Sequence, residues 1–139
     1  MTSPTIVTRD IELDVDAGEA WALIRDAEGW GTWLADEASV EVEPGATGSV
    51  VDDGEERHVE VVAVDPERAV EFVWWPTGSE GQASSVTVFV DATPAGTTVL
   101  RIVESFPPRT SIVAIASAAS RWEARALCAW TACLAPSLV

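Results

Sequence analysis

Residues 97–134 read TTVLRIVESFPPRTSIVAIASAASRWEARALCAWTACL, and two different periods meet inside them. Before Pro107-Pro108, the residues Leu100, Ile102, Glu104 and Phe106 share one side of an alternating run, which is the period of a strand. From Ser111 onward Ile112, Ile115, Ala116, Ala119, Trp122, Ala126, Trp130, Cys133 and Leu134 recur every three or four residues, the period of an amphipathic helix. The proline pair ends the strand, because proline has no N–H to give to a ladder. Unbroken to Leu134, the helix measures about 36 Å at 1.5 Å per residue, enough to lie across the concave face of a small sheet.

The preceding residues supply that sheet. From Thr5 to Val15 the chain alternates, with Val7, Ile11, Leu13 and Val15 on one face and Thr8, Asp10, Glu12 and Asp14 on the other. Asp16 with Glu19 three residues later marks a helix start, and Ala20, Leu23 and Ile24 give it an apolar stripe. Gly29 and Gly31 interrupt this helix, and the segment Trp30 to Leu34 predicts a second short one. Extended runs follow at Ala38–Glu43, Gly48–Asp53, Glu56–Val64, Ala69–Trp75, Ser84–Asp91 and Thr97–Phe106. The turn residues Pro44-Gly45, Asp53-Gly54 and Asp65-Pro66 between them favour antiparallel hairpins. The pattern is α+β: a curved antiparallel sheet of about seven strands, two short helices after the first strand, and a long C-terminal helix.

Composition narrows the setting. At 139 residues the chain is expected to be one domain spanning 1–139 with a single core, since a chain of this size buries roughly two thirds of its unfolded surface. Met1 to Asp10 lacks the basic start and apolar run of a secretory signal, which predicts a cytoplasmic protein. No run approaches the ~18 apolar residues of a membrane span, so no membrane insertion is expected. Acidic residues number 23 against eight arginines and no lysine, a net charge of −15. Such a surface repels phosphate backbones and argues against nucleic acid as a partner. Cys128 and Cys133 lie on one helix pointing in different directions and are expected to be free thiols. With one histidine and no Cys-x-x-Cys, the usual zinc ligand sets cannot be assembled. Neither a metal nor a cofactor is expected.

The order of elements, with Ala20-Trp21-Ala22-Leu23, Trp30-x-x-Trp33-Leu34, Pro44-Gly45-x-x-Gly48, Trp74-Trp75, Val103-Glu104-Ser105-Phe106 and Trp122-Glu123, resembles the START-like helix-grip (SRPBCC) superfamily over nearly the whole chain. Within it the spacing is similar to the bacterial branch related to the C-terminal domain of heat-shock chaperone ATPase activators. The superfamily includes lipid carriers, polyketide cyclases, hormone receptors and self-resistance proteins, so the fold does not choose the function. The resemblance implies a cavity between sheet and C-terminal helix that binds or sequesters an apolar small molecule, aromatic or polyketide-like, self-resistance being one such role. Two alternatives stay open: a cyclase or dehydratase acting on such a ligand, and an interaction module with a chaperone partner.

Seven tryptophans are the most informative group, because an indole offers a flat apolar surface and one orienting N–H. Trp30, Trp33, Trp74 and Trp122, together with Glu104, are the expected ligand-binding residues; Trp130 is a further ring that could converge with them, or pack the core as Trp21 does. Trp74 and Trp75 point oppositely, so only one of them faces inward. Glu104 shares its strand face with Leu100, Ile102 and Phe106, and among apolar side chains a carboxyl is a candidate acid or base. It either orients a ligand hydroxyl or accepts hydrogen bonds from the helices. His58 is the other catalytic candidate, as general base, or else a solvated strand histidine. Its strand face, shared with Glu60, Val62 and Val64, is as ready to be inner as that of Val59, Val61 and Ala63. Arg9 and Arg101 share faces with aliphatic residues, and either is a candidate ion-pair partner for Glu104 or for a ligand acid.

Overall fold

The computed structural model describes residues 4–134. In chain order the elements are β1 (Thr5–Leu13), α1 (Ala17–Trp21), α2 (Ala27–Trp33), β2 (Glu37–Ser39), β3 (Thr47–Asp52), β4 (Glu55–Asp65), β5 (Ala69–Pro76), a 3-10 turn (Glu80–Gln82), β6 (Ser84–Ala92), β7 (Thr98–Phe106) and α3 (Ile112–Leu134). The strands form one antiparallel sheet in the order β1-β7-β6-β5-β4-β3-β2. Strands β2 to β7 are thus a meander, and β1 adds to the far side of β7, with Val7 opposite Glu104 and Ile11 opposite Leu100.

Alternation decides which face is inner. Val7, Ile11 and Leu13 on β1, Val70, Phe72 and Trp74 on β5, Val86, Val88 and Val90 on β6, and Leu100, Ile102, Glu104 and Phe106 on β7 are all buried. On β4 the inner residues are Val59 and Val61, which puts His58 and Glu60 outside. The register then shifts between Val61 and Ala63. This bulge at Val62 turns that exposed side chain outward and brings Val64 back against the core, because one extra residue reverses the parity of everything after it.

Local chemistry sets the turns. Asp53 and Gly54 have φ of 53° and 78° and close a two-residue hairpin between β3 and β4, the left-handed pair that matches strand twist. The Asp16 carboxylate accepts the Glu19 N–H at 2.9 Å and starts α1; Asp26 does the same for α2 through Gly29 N–H at 2.8 Å. The break between the helices therefore falls at residues 22–26, ahead of the glycines. Gly29 and Gly31 lie inside α2, and Gly29 serves close packing: a Cβ there would meet the Ala22 carbonyl and come within 2.8 Å of the Leu23 carbonyl carbon.

One expected boundary and one expected face change. The run Ala38–Glu43 pairs as a strand only at its start, since β2 ends at Ser39, although Val40 stays buried. The chain then rejoins the sheet through Gly45 N–H to Val61 O and Val61 N–H to Ala46 O. Among the described side chains of α3 the buried ones are Ala118, Trp122 and Ala129. Ile112 is 84% exposed and Trp130 46% exposed, so neither belongs to the core stripe that the helical period suggested. The expectations for Cys133 and Leu134 concern side chains outside the described ones. The helix packs beside β1 and α2 and crosses the sheet at Trp122, and within its first turns Ile115 and Ala118 already face the core while Ile112 and Val113 stay exposed.

Candidate functional site

The interior under α3 is filled with rings. Trp30, Trp33, Phe72, Trp74 and Trp122 are all completely buried. Trp30 and Phe72 lie 4.8 Å apart between centroids, Phe72 meets Trp74 edge-on at 5.3 Å, and Trp74 stacks on Trp122 at 5.8 Å with 19° between planes. Their N–H groups are spent internally: Trp30 donates to Ile24 O at 2.7 Å and Trp33 to Leu23 O at 2.8 Å, which ties α2 to the turn before it.

Trp74 and Trp122 instead donate to Glu104, which is fully buried. Oε2 accepts from Trp74 Nε1 at 2.9 Å and from the Ser84 hydroxyl at 2.5 Å. Oε1 accepts from Trp122 Nε1 at 2.9 Å and from Arg121 Nη2 at 3.2 Å. The apolar surroundings expected for this carboxylate are thus replaced by four donors, and its acceptor positions are filled. The arginine that answers it comes from α3. Arg101 points outward and pairs with Asp10 at 3.0 Å. Arg9 lies on the inner face but pairs at 3.6 Å with Glu123 on α3.

Beside Glu104 opens a cleft of about 1450 Å³ between α3 and the ends of β3, β4, β5 and β7. Glu104, Ser84, Arg57, Asp52, Arg121 and Arg125 border its polar floor, and Phe106, Pro107, Pro108, Ile112 and Val113 its apolar rim. Arg121 and Arg125 stand one helical turn apart and so face the same way. Arg125 binds the buried Asp52 carboxylate closely and reaches Asp36 at 3.1 Å; Arg121 Nε lies 3.7 Å from Asp52. Burial pushes the Arg125 guanidinium down, but its bonds to Asp52 and Asp36 outweigh that and hold it above the ordinary arginine value. Asp36 is held below the usual carboxylate value by the Asp53 backbone N–H and then by Arg125. Arg57 and Arg121 both lie over the Trp74 ring, 5.1 and 5.0 Å from its centroid.

Of the five residues expected at a ligand, Glu104 borders the cleft, and Trp74 and Trp122 lie one layer behind it. Trp30 and Trp33, carried by α2, sit deeper, against Phe72 and Trp122 respectively. His58 is on the convex face, stacked 5.9 Å from Trp75, on the opposite side of the sheet from the cleft. Sequence reasoning missed Arg57, Asp52, Arg121 and Arg125. The signal for two of them was present as Arg121 next to Trp122 with Arg125 four residues on, a cationic strip beside the most deeply buried ring of the helix.

No family model matches the chain, and no curated protein matches it either. Solved structures do. Protein MLL2253 from Mesorhizobium loti superposes with a TM-score of 0.81 at 20% identity, over 95% of this chain and 98% of that one. DynU16, a protein of the dynemicin biosynthetic locus, gives 0.76 at 23% identity over 96% of this chain and 46% of its own, so this chain spans about half of DynU16. The Aha1 dimer from Colwellia psychrerythraea gives 0.76 at 15% identity, over 92% and 95%. At these identities the likeness is one of fold, and it places the chain among proteins that grip a long C-terminal helix in a curved antiparallel sheet.

Proposed function

We propose that the protein binds a small amphipathic organic molecule in the cleft beside Glu104, the apolar part against the Phe106–Val113 rim and the polar part on the arginine-rich floor. The observation that carries this reading is the cleft itself: a concave space with an apolar rim and a few convergent polar groups is the usual form of a ligand site. The position of DynU16 in a natural-product biosynthetic locus supports a polyketide-like ligand, with sequestration or self-resistance as the role. The apolar container expected from sequence is here an open cleft, because the tryptophans fill the space behind it. Binding is favoured over a cyclase or dehydratase because Glu104 has its acceptor positions occupied and His58 is on the far face. The alternative of an interaction module with a chaperone partner rests on the resemblance of Trp30-x-x-Trp33-Leu34 and Trp122-Glu123 to the chaperone-activator branch; the likeness to the Aha1 dimer is one of fold.

Titration with a panel of apolar metabolites tests the reading, followed by tryptophan fluorescence, thermal shift and native mass spectrometry. A ligand is expected to perturb the Trp74–Trp122 emission and raise Tm by mass action. Ser117→Trp, at an exposed position of α3 bordering the cleft, is expected to abolish the response without unfolding the protein. A response unchanged in this variant, or a panel with no response in any of the three measurements, would overturn the reading.

A further inference from the structure

Four arginines border the cleft. Arg109 stands exposed on the rim beside Pro107 and Pro108, where water screens its charge; Arg57, Arg121 and Arg125 border the floor, and these three are not answered equally. Arg125 is paired with Asp52 and Asp36, and Arg121 with Glu104. Each of these two cations therefore meets a carboxylate that is itself buried. The carboxylate at Arg57 is Glu55, with Nη2 to Oε1 at 3.0 Å, and here the burial is reversed: the Arg57 side chain is 15% exposed and Glu55 55%. A water-screened carboxylate offsets a buried cation weakly. The remaining guanidinium donors of Arg57 make no hydrogen bond among the described residues and border the cleft.

The neighbours sharpen the imbalance. Arg57 and Arg121 share the Trp74 indole, so two like charges are held against one ring. Burial, and then the charge of Arg121, push the Arg57 guanidinium below the ordinary arginine range despite Glu55, Glu104 and Asp52. Counting only buried charges on the floor, Asp52 and Glu104 are matched by Arg125 and Arg121, which leaves the positive charge of Arg57 in excess. An anion placed there would relieve both the desolvation and the repulsion.

Resting on the binding reading above, we infer that the cleft takes an apolar monocarboxylate, its carboxylate on the free side of the Arg57 guanidinium and its hydrocarbon body along Pro107, Pro108, Ile112 and Val113. Two carboxylate oxygens match the planar fork of a guanidinium. The Glu104 carboxylate is saturated and the Ser84 hydroxyl donates to it, so neither supplies the anion site. The net charge of −15 opposes an anion at a distance, but beyond a Debye length of about 8 Å it is screened, and the groups on the floor dominate.

The test uses decanoic and naphthoic acids, each paired with its primary amide, titrated by calorimetry at neutral pH into the wild-type protein and Arg57→Gln. Wild type is expected to prefer acid over amide by about tenfold or more, the order of a charge-assisted over a neutral hydrogen bond. Arg57→Gln is expected to remove the preference and leave amide affinity in place. Equal wild-type affinity for acid and amide would overturn the inference while leaving the binding reading intact; so would a preference that survives in Arg57→Gln. If the variant does not fold, the wild-type ratio decides alone. Binding of neither member of either pair, with the broader panel also silent, overturns the binding reading and this inference with it.

Discussion

The indoles of Trp74 on β5 and Trp122 on α3 stack 5.8 Å apart, and each donates its N–H to a different oxygen of Glu104 on β7. One carboxylate thereby locks two sheet strands and the helix together. Glu104→Gln keeps the shape but sets an amide NH₂ against two existing donors and leaves Arg121 without its buried partner. A loss of about 3–5 kcal/mol is expected, the range for breaking a buried pair, read as a lowered urea midpoint with a shift in tryptophan emission.

Asp52 gives a second test of the same floor. Arg125→Gln leaves this buried carboxylate short of its main partner and is expected to cost about 3 kcal/mol. Adding Asp52→Asn removes the charge left behind and is expected to recover more than half of the loss. A double-mutant cycle by chemical denaturation measures the coupling.

These interactions show what the sequence made legible. Strand alternation and the helical period identify the elements, because burial on one face leaves its mark every second or every third to fourth residue. Glu104 is found for the same reason, as a charged residue on an apolar face. Its partners are not, since Trp74, Ser84, Arg121 and Trp122 are brought together from β5, β6 and α3, and the angle at which the helix crosses the sheet decides which of its arginines arrives. Likewise the inner face of β4 depends on its register against β5, and the bulge at Val62 then reverses it. Filling of the interior by Trp30 and Trp33 depends on the fit of α2 against the turn at residues 22–24, which no local pattern records.

Two glycines of α2 are expected to respond in opposite ways. Gly31→Ala meets nothing within 4 Å and is expected to stabilise by about 0.5–1 kcal/mol through helix propensity. Gly29→Ala drives a methyl group into the Ala22–Leu23 backbone and is expected to destabilise by more than about 2 kcal/mol. Thermal melts of the two variants decide it.

Asp36 sets an acid dependence. Its folded-state pKa lies below the ordinary 3.8, so its contribution is present above the unfolded value and is lost as pH falls through the folded one. Asp36→Asn is therefore expected to be slightly less stable than wild type at pH 7 and to converge with it as the pH falls through the lowered folded-state value. The gap is small because the side chain is largely solvated. Urea midpoints from pH 7 down to pH 2.5 trace the convergence.

His58→Ala is expected to leave ligand binding unchanged and to cost less than about 1 kcal/mol, the value of its stacking on Trp75. A lost fluorescence response in this variant would restore His58 as a site residue.

The ends of the sheet have a consequence for life at high concentration. An exposed edge strand is a template on which another chain can build. Here one edge is cut to the three residues of β2, and beside the other, β1, runs the helix α3. The outer side of β1 has no ladder of its own, so at that edge the shared negative charge is what keeps copies apart. Resistance to stacking into fibrils thus falls to a short strand at one edge and to charge at the other.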